Sequence, residues 1–464
     1  MNPSRWDTHR NIQERWIIEG RLELESPAHF GNGDVSVATD MPLARDAETG
    51  KPLLTGASIA GALRNYLHTI SEAQANDLFG EIRGNTAIAS ALIVNDALAM
   101  NADEVEWRDG VAINPKTRTA EEKKKFDIEL LPAGTRFDLC FELNVSPDEK
   151  ELVRALAMAL RGLEQGEIGL GKRKTRGLGM CKISQWHVRR YNVTQLQDLV
   201  AWLNDDRTRE QTGTSIAILL GLADAELVHA ARTGFSLNAE FGLKGSLLIR
   251  AEGVASNSPD VAHLHSKRNG KWEPILSGTS LAGALRARAL RIANTLAVDR
   301  DKAGEFVDGM FGPHDGKLWA SRVRVHESVI RNGLDDRVQS RVKIDRFTGG
   351  ASNTALFSEQ PVFGLPETRV QIALELVKAH DQNEINRAEV GLLLLLLKDL
   401  WTGDLPLGGE SSVGRGRLRG RCAKLQLDGN EWVIQDQEGK LSVKGNPEVL
   451  EQCVQQFVKE MQDA

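Results

Sequence analysis

Two kinds of loop in this chain could do chemistry: one acidic, one basic, both rich in glycine. Gly31-Asn32-Gly33-Asp34 and Thr39-Asp40-Met41-Pro42-Leu43-Ala44-Arg45-Asp46 set three carboxylates in one glycine-containing stretch. Gly169-Leu170-Gly171-Lys172-Arg173-Lys174-Thr175-Arg176-Gly177-Leu178-Gly179 sets four cations in five residues. Glycine lets a backbone approach a polyanion closely, and the cations neutralise phosphates. Carboxylates beside such a surface repel the ligand unless they hold Mg²⁺ or act in acid–base chemistry on it. The plain alternatives are turn-forming aspartates and a solvated β-turn.

Both loops have partners later in the chain. Gly408-Gly409-Glu410-Ser411-Ser412-Val413-Gly414-Arg415-Gly416-Arg417 repeats the glycine spacing, moves its cations to Arg415 and Arg417, and adds the hydroxyls of Ser411 and Ser412. The acidic loop corresponds to a segment holding Asp260, with His263 and His265 nearby. No Gly-Lys-Ser/Thr opens a helix after either loop, which disfavours a nucleotide-hydrolysing phosphate loop.

The duplication runs through the elements that carry these loops. Thr55-Gly56-Ala57-Ser58-Ile59-Ala60-Gly61-Ala62-Leu63-Arg64 recurs as Ser277-Gly278-Thr279-Ser280-Leu281-Ala282-Gly283-Ala284-Leu285-Arg286. Asp77 to Gly80 is echoed by Gly309 to Gly312, Leu92 to Val94 by Val323 to Val325, and Leu131 to Arg136 by Leu365 to Arg369. Landmarks in one order mean two copies of one plan. Strand-like runs at Ile17 to Leu24 and Ser246 to Ala251 precede helices expected over Ile59 to Ile70 and Leu281 to Leu296, with Ser58 and Ser280 as N-caps. Helix N-termini of this kind attract anions. Later helices are expected at Lys150 to Leu163 and Arg387 to Leu400. Strand, helix, strand, strand, helix, strand is the ferredoxin-like order, so the fold class is α+β. The boundaries read as 1–193, a helical connector at 194–233, and 234–464.

Composition sets the limits. Hydrophobic residues are 41% and charged residues 26%, which suits a folded chain. Lys+Arg total 58 against 64 Asp+Glu, a net charge of −6, so the protein is not uniformly basic. Aromatics are 5%, which argues against broad base-stacking platforms. Cys140, Cys181, Cys422 and Cys453 have no zinc spacing and make no disulfide framework. Met1 to Arg15 has no apolar stretch, and Leu392 to Leu397 is far too short to span a membrane. A cytoplasmic location is the expectation.

In combination, His29-Phe30-Gly31, Asp40-Met41-Pro42 with Arg45-Asp46, Thr55 to Ser58 before a helix, and the Gly-x5-Gly-x-Gly loop resemble the RAMP superfamily. More narrowly they resemble the backbone subunit of type III CRISPR interference complexes, present twice in one chain. Such a fused pair points to a subtype with fused backbone subunits, III-D among them. The resemblance implies two RRM-like RAMP domains in tandem, each with an inserted β-hairpin thumb, here at Arg108 to Lys125 and Arg331 to Thr354. It implies binding along a CRISPR guide RNA, pairing with complementary target RNA, and assembly with other effector subunits. It also implies target cleavage beside each thumb by an aspartate with a divalent metal such as Mg²⁺. Carried over by position, the catalytic and metal-binding residues are Asp40 and Asp260. RNA contacts are expected from His29, Gly31, Ser58, Arg64, Lys172, Arg173, Lys174, Arg176, Ser280, Arg286, Ser411, Ser412, Arg415 and Arg417. Ala60 and Ala282 stand where the family often has Lys, and the second copy lacks Met41-Pro42 and Arg45-Asp46 equivalents. Two other functions remain open: an RNA-binding scaffold that cuts nothing, and a metal-independent guide-RNA-processing endoribonuclease using His29 or another histidine.

Overall fold

The structure, a computed structural model, describes the chain except residues 1–10, 32, 34–38, 84–85, 102–103, 115–116, 118, 148, 150, 224–226, 228–232, 253–258, 269, 314–318, 380–383, 438–439 and 464. It divides into two compact units. The first holds Met1–Glu106, Glu129–Lys172 and Gly179–Ala231; the second holds Trp107–Ile128, Arg173–Leu178 and Arg232–Ala464.

In the first unit, β1 (Glu14–Leu24) buries Trp16, Ile18, Leu22 and Leu24, the alternation a strand imposes on its two faces. Helices α1 (Gly56–His68) and α2 (Glu72–Phe79) follow, then β2 (Leu92–Val94). A long hairpin, β3 (Glu106–Ile113) and β4 (Ala120–Leu130), whose residues 107–128 count with the second unit, leads along the chain to β5 (Arg136–Val145), α3 (Glu151–Glu164) and β6 (Cys181–Asn192). The core sheet runs β6-β1-β5-β2, all antiparallel, which is the fourth-first-third-second order of the ferredoxin-like fold. In α3, Leu152, Leu156, Leu160 and Leu163 recur at helical spacing and lie in the same buried cluster as the sheet. The stretch expected as a helical connector contains α4 (Leu196–Leu203), β7 (Gln211–Gly213) and α5 (Ile216–Leu219); β7 adds an edge strand beside β6.

The second unit repeats the plan. Its central strand is β8 (Thr233–Lys244). The sequence had pointed instead to Ser246 to Ala251, which the structure breaks into two short strands, Ser246–Leu247 and β9 (Arg250–Glu252). Both readings meet the apolar test, but only β8 alternates and finds ladders on both sides. After β10 (Val261–His263) come α6 (Gly278–Leu296), α7 (Arg300–Phe311) and β11 (Val323–Val325). A second hairpin, β12 (Gln339–Ile344) and β13 (Ala351–Gln360), precedes β14 (Arg369–Val377), α8 (Arg387–Thr402) and β15 (Arg417–Leu427). Core order is β15-β8-β14-β11, and β16 (Asn430–Gln437) and β17 (Lys440–Lys444) extend the sheet before α9 (Pro447–Asp463). Glycines end α2 and α7 in the same way: Gly80 at φ +76° and Gly312 at φ +84°.

The helix caps correct the sequence reading. Thr55 and Ser277 cap α1 and α6, and each hydroxyl accepts from the backbone N–H of Ser58 or Ser280 at 3.3 Å. Ser58 and Ser280 therefore occupy the third helical position. A capping hydroxyl has to sit before the first helical residue to reach that N–H.

Candidate functional site

In the first unit, three separated stretches meet. His29 is 1% exposed and its Nδ1 donates to the Glu129 carbonyl at 2.9 Å. Glu129 in turn receives the Leu43 N–H on its Oε2 at 2.9 Å and sends its own N–H to the Met41 carbonyl at 3.1 Å. Lys172 donates its backbone N–H to the His29 carbonyl at 3.1 Å, and its Nζ lies 4.0 Å from Met41 Sδ. Asp40 stands exposed on this framework, one residue before Met41. Gly31 lies where a Cβ would meet the His29 ring, and a Cβ on Gly171 (φ +83°) would run into the His29 carbonyl. Glycine is needed at Gly171 because backbone meets backbone there in a left-handed conformation, and at Gly31 because the buried His29 ring fills the space.

The two glycine-rich loops share one conformation. Leu170 N–H bonds the Gly179 carbonyl at 2.8 Å, and Leu407 N–H bonds the Gly416 carbonyl at 2.9 Å. Arg173 and Glu410 both take φ +58°, a 3₁₀ turn follows each (Lys174–Arg176 and Ser411–Val413), and Gly177 and Gly414 close them at φ +83° and +90°. The side chains differ. Within the second unit, Arg173 stacks 4.4 Å above the Phe126 ring, and burial together with the charge of Arg176 pulls its guanidinium below the ordinary range. The Arg176 guanidinium is lowered by partial burial and by the nearby charge of Arg286, while the residue as a whole remains exposed. The Arg176 carbonyl sits where a Cβ on Gly278 would fall, so the turn rests on the first residue of α6.

Arg415, by contrast, is 3% exposed. It donates to Glu410 at 2.8 Å, Glu359 at 2.8 Å, Ser246 at 3.0 Å and Gln339 at 3.2 Å. Arg341 completes the network on the same two carboxylates, at 3.2 Å from Glu359 and 3.4 Å from Glu410. Burial and its neighbour Glu410 push the Glu359 carboxyl up. Arg415 thus faces carboxylates in the interior, where a phosphate cannot reach it.

Asp260 is exposed and tied to the second hairpin. Its Oδ2 accepts the Ser358 N–H at 2.7 Å and the Ser358 hydroxyl at 3.1 Å, while its own N–H donates to that hydroxyl at 3.0 Å. The bonds from Ser358 hold the carboxyl below its usual range. Next to it, β10 runs parallel to β13, pairing Val261 with Glu359 and Ala262 with Gln360. In both repeats, then, the aspartate segment bonds to the second strand of its hairpin: Met41 to Glu129, Asp260 to Ser358.

Comparison with known families agrees with this architecture. The model of the RAMP superfamily matches residues 21–182 and 256–419, one stretch in each repeat and together more than half of the chain. The chain belongs to the RAMP superfamily. Its proteins are generally CRISPR-associated and bind RNA, and some are endoribonucleases. No curated protein matches the chain.

On this RAMP scaffold the sequence-predicted residues fall into groups. Lys172, Arg176, Ser58, Ser412 and Arg417 are exposed, and Arg173, Ser280 and Ser411 are half-buried. Lys174 is exposed and engaged with a neighbour. Arg64 and Arg286 reach the following helix, bonding Asn76 at 3.0 Å and Asp308 respectively. His29 and Arg415 lie inside. Asp34, the third carboxylate of the acidic loop, lies outside the described residues. His263 is buried as well: Nε2 donates to the Ile275 carbonyl at 2.9 Å, Nδ1 accepts from the Ile249 N–H at 3.2 Å, and burial pushes its pKa down to about 4.

The sequence reading missed the residues that hold these parts in place. Glu129, Phe126, Ser358 and Glu327 lie in ordinary strand or strand-end sequence, with no motif to mark them. Repeat alignment offered one signal, because Asp96 and Glu327 each stand two residues after the matching strands Leu92–Val94 and Val323–Val325. For a metal, the donor set is sparse. Among the described residues no three His, Cys, Asp or Glu side chains converge. Asp40 and Asp260 each offer one exposed carboxylate, which fits only a cation sharing its shell with phosphate oxygens and water, a mode that Mg²⁺ accepts. No helix among the described residues is long and apolar enough to cross a membrane.

Proposed function

We propose that this RAMP protein is a fused pair of backbone subunits in a type III CRISPR effector complex, of a subtype such as III-D. It binds guide RNA through both repeats, together with other effector subunits, and cleaves the paired target RNA beside each hairpin. The observation that supports this best is the repeated attachment of an exposed aspartate segment to the second strand of a hairpin. A hairpin that parts a duplex would leave the scissile phosphate next to that aspartate.

In this reading the exposed cations of the first glycine-rich loop hold phosphates, which position RNA without reading its sequence. Asp40 and Asp260 would each offer a carboxylate oxygen to a divalent cation such as Mg²⁺, the rest of whose shell would have to come from RNA and water. When bound there, the cation neutralises charge developing on the phosphate. Glu129 fixes the Asp40 segment through Met41 and Leu43, and Ser358 fixes Asp260 directly. Because Ser358 occupies Oδ2 of Asp260, a second reading, in which the second repeat is scaffold only, is kept for that copy.

Cleavage mapping in the reconstituted complex tests both. Asp40→Ala is expected to remove one cut while guide binding stays intact, and Asp260→Ala to remove another. Persistence of every cut in the double variant means that the chain is scaffold. Cleavage that survives EDTA rules against a divalent metal.

A further inference from the structure

The two hairpins are held by different means. β13 of the second hairpin pairs with β10, and β10 with β9, so a four-stranded sheet fixes it through backbone hydrogen bonds. β3 and β4 pair only with each other among the described residues. Backbone bonds hold only the foot of β4, where the Glu129 N–H meets the Met41 carbonyl and Leu131 pairs with Ala28. A two-stranded hairpin beyond such a foot is marginal in water, so side chains must decide where the rest of it stands. Within the second unit, one buried carboxylate dominates its base. Glu327, 1% exposed at the side chain, receives Arg108 in a two-pronged pair, Nη1 to Oε2 at 2.5 Å and Nη2 to Oε1 at 3.1 Å. Arg268 adds a third bond to Oε1 at 2.5 Å. The backbone N–H of Glu327 lies where a Cβ on Gly177 would fall, so the glycine-rich turn packs at the same spot. The matching acid of the first repeat, Asp96, does something else: it accepts the Gly56 N–H at 2.7 Å.

We propose that Glu327 is the positioning residue of the first hairpin, clamping Arg108 so that the two hairpins meet one RNA duplex at a set spacing. The inference rests on the reading of both hairpins as duplex-parting elements. Bidentate guanidinium–carboxylate geometry fixes direction as well as distance, which a single lysine contact does not. Arg268 holds the carboxylate in place when Arg108 moves.

Hydrogen exchange on the full chain, free and loaded with guide RNA, tests the clamp without any cleavage. Glu327→Gln is expected to speed amide exchange at least tenfold in 107–113 and 120–128 and to leave 339–344 and 351–360 unchanged. Arg108→Gln, which keeps Glu327 paired with Arg268, is expected to do the same and decides the matter if Glu327→Gln does not fold. Arg108→Lys is expected to restore protection only in part. In the assembled complex, the cut beside the first hairpin should shift or blur while the second stays in place. Unchanged exchange in both variants, or an equal rise in both hairpins, overturns the proposal. A wild-type complex that makes no cut refutes the cleavage reading instead, and the exchange result still judges the clamp.

Discussion

The two glycine-rich loops have one backbone and two electrostatic designs. In the first, Lys172 and Arg176 stay at the surface, and the residue at the left-handed position, Arg173, stacks on Phe126 of its hairpin. In the second, that position is Glu410, and it joins Glu359 to neutralise a buried Arg415 and Arg341. Both loops are anchored toward a hairpin, one by a cation over a ring and the other by an internal ion network. The difference teaches that glycine spacing conserves shape while a single residue, Arg173 or Glu410, decides whether the loop's charge faces outward or inward.

The largest break in this comparison is expected from Arg415→Ala. It leaves Glu359 with Arg341 alone and Glu410 with Arg341 and Arg250, and should cost about 3–5 kcal/mol of stability, as removal of one member of a buried pair does. Arg176→Ala, at the surface of the first loop, should stay within about 0.5 kcal/mol. Urea midpoints of the two variants measure the contrast; equal losses would erase the distinction between inward and outward charge.

RNA binding should rank the loops the other way. Replacing Lys172, Arg173, Lys174 and Arg176 with Ala removes up to four phosphate contacts, at about 0.7 in the salt slope for each contact to a single strand. Guide-RNA affinity should then depend on log salt with a slope smaller by up to about 3. A folded variant at Arg415, such as Arg415→Lys, should leave that slope in place. Filter binding across a salt series distinguishes them.

The smallest effect separates the two aspartate segments. Ser358→Ala removes the hydroxyl but keeps the backbone N–H that lowers the carboxyl most, so Asp260 should move only part of the way toward the ordinary aspartate value of about 3.9, read from its carboxyl carbon during an NMR titration. The sign follows from the lowered folded value: the Ser358 tether contributes above the unfolded pKa and is lost as pH falls through the folded one. Acidification below about pH 4 should therefore loosen β13 next to Ser358. An Asp260 midpoint that Ser358→Ala does not move would mean that the hydroxyl bond is absent in solution and that the backbone N–H alone lowers the carboxyl.

Much of the fold was legible because it is written in local pattern. The duplication, the helices α1, α3, α6 and α8, and the strands Leu92–Val94 and Val323–Val325 all follow from apolar period and repeated landmarks. The hairpins were placed at 108–125 and 331–354, whereas they span 106–130 and 339–360, because several of their buried positions, such as Glu106, Arg108 and Glu359, are charged and give no apolar alternation to mark the ends. The caps were shifted by three residues since Thr55 and Ser58, like Ser277 and Ser280, are both good capping types and only the helix start separates them.

By itself, the sequence determined two ferredoxin-like repeats, glycines where loops press on backbone, and a set of acidic and basic groups suited to RNA. Tertiary structure alone decided what each charge does. A guanidinium acts on phosphate if it stands in water and on protein if carboxylates surround it, and that depends on neighbours distant in the chain. Arg415 meets Glu359 and Arg108 meets Glu327 across 56 and 219 residues. Spacing along one loop holds no trace of such pairs, because the partner is chosen by packing.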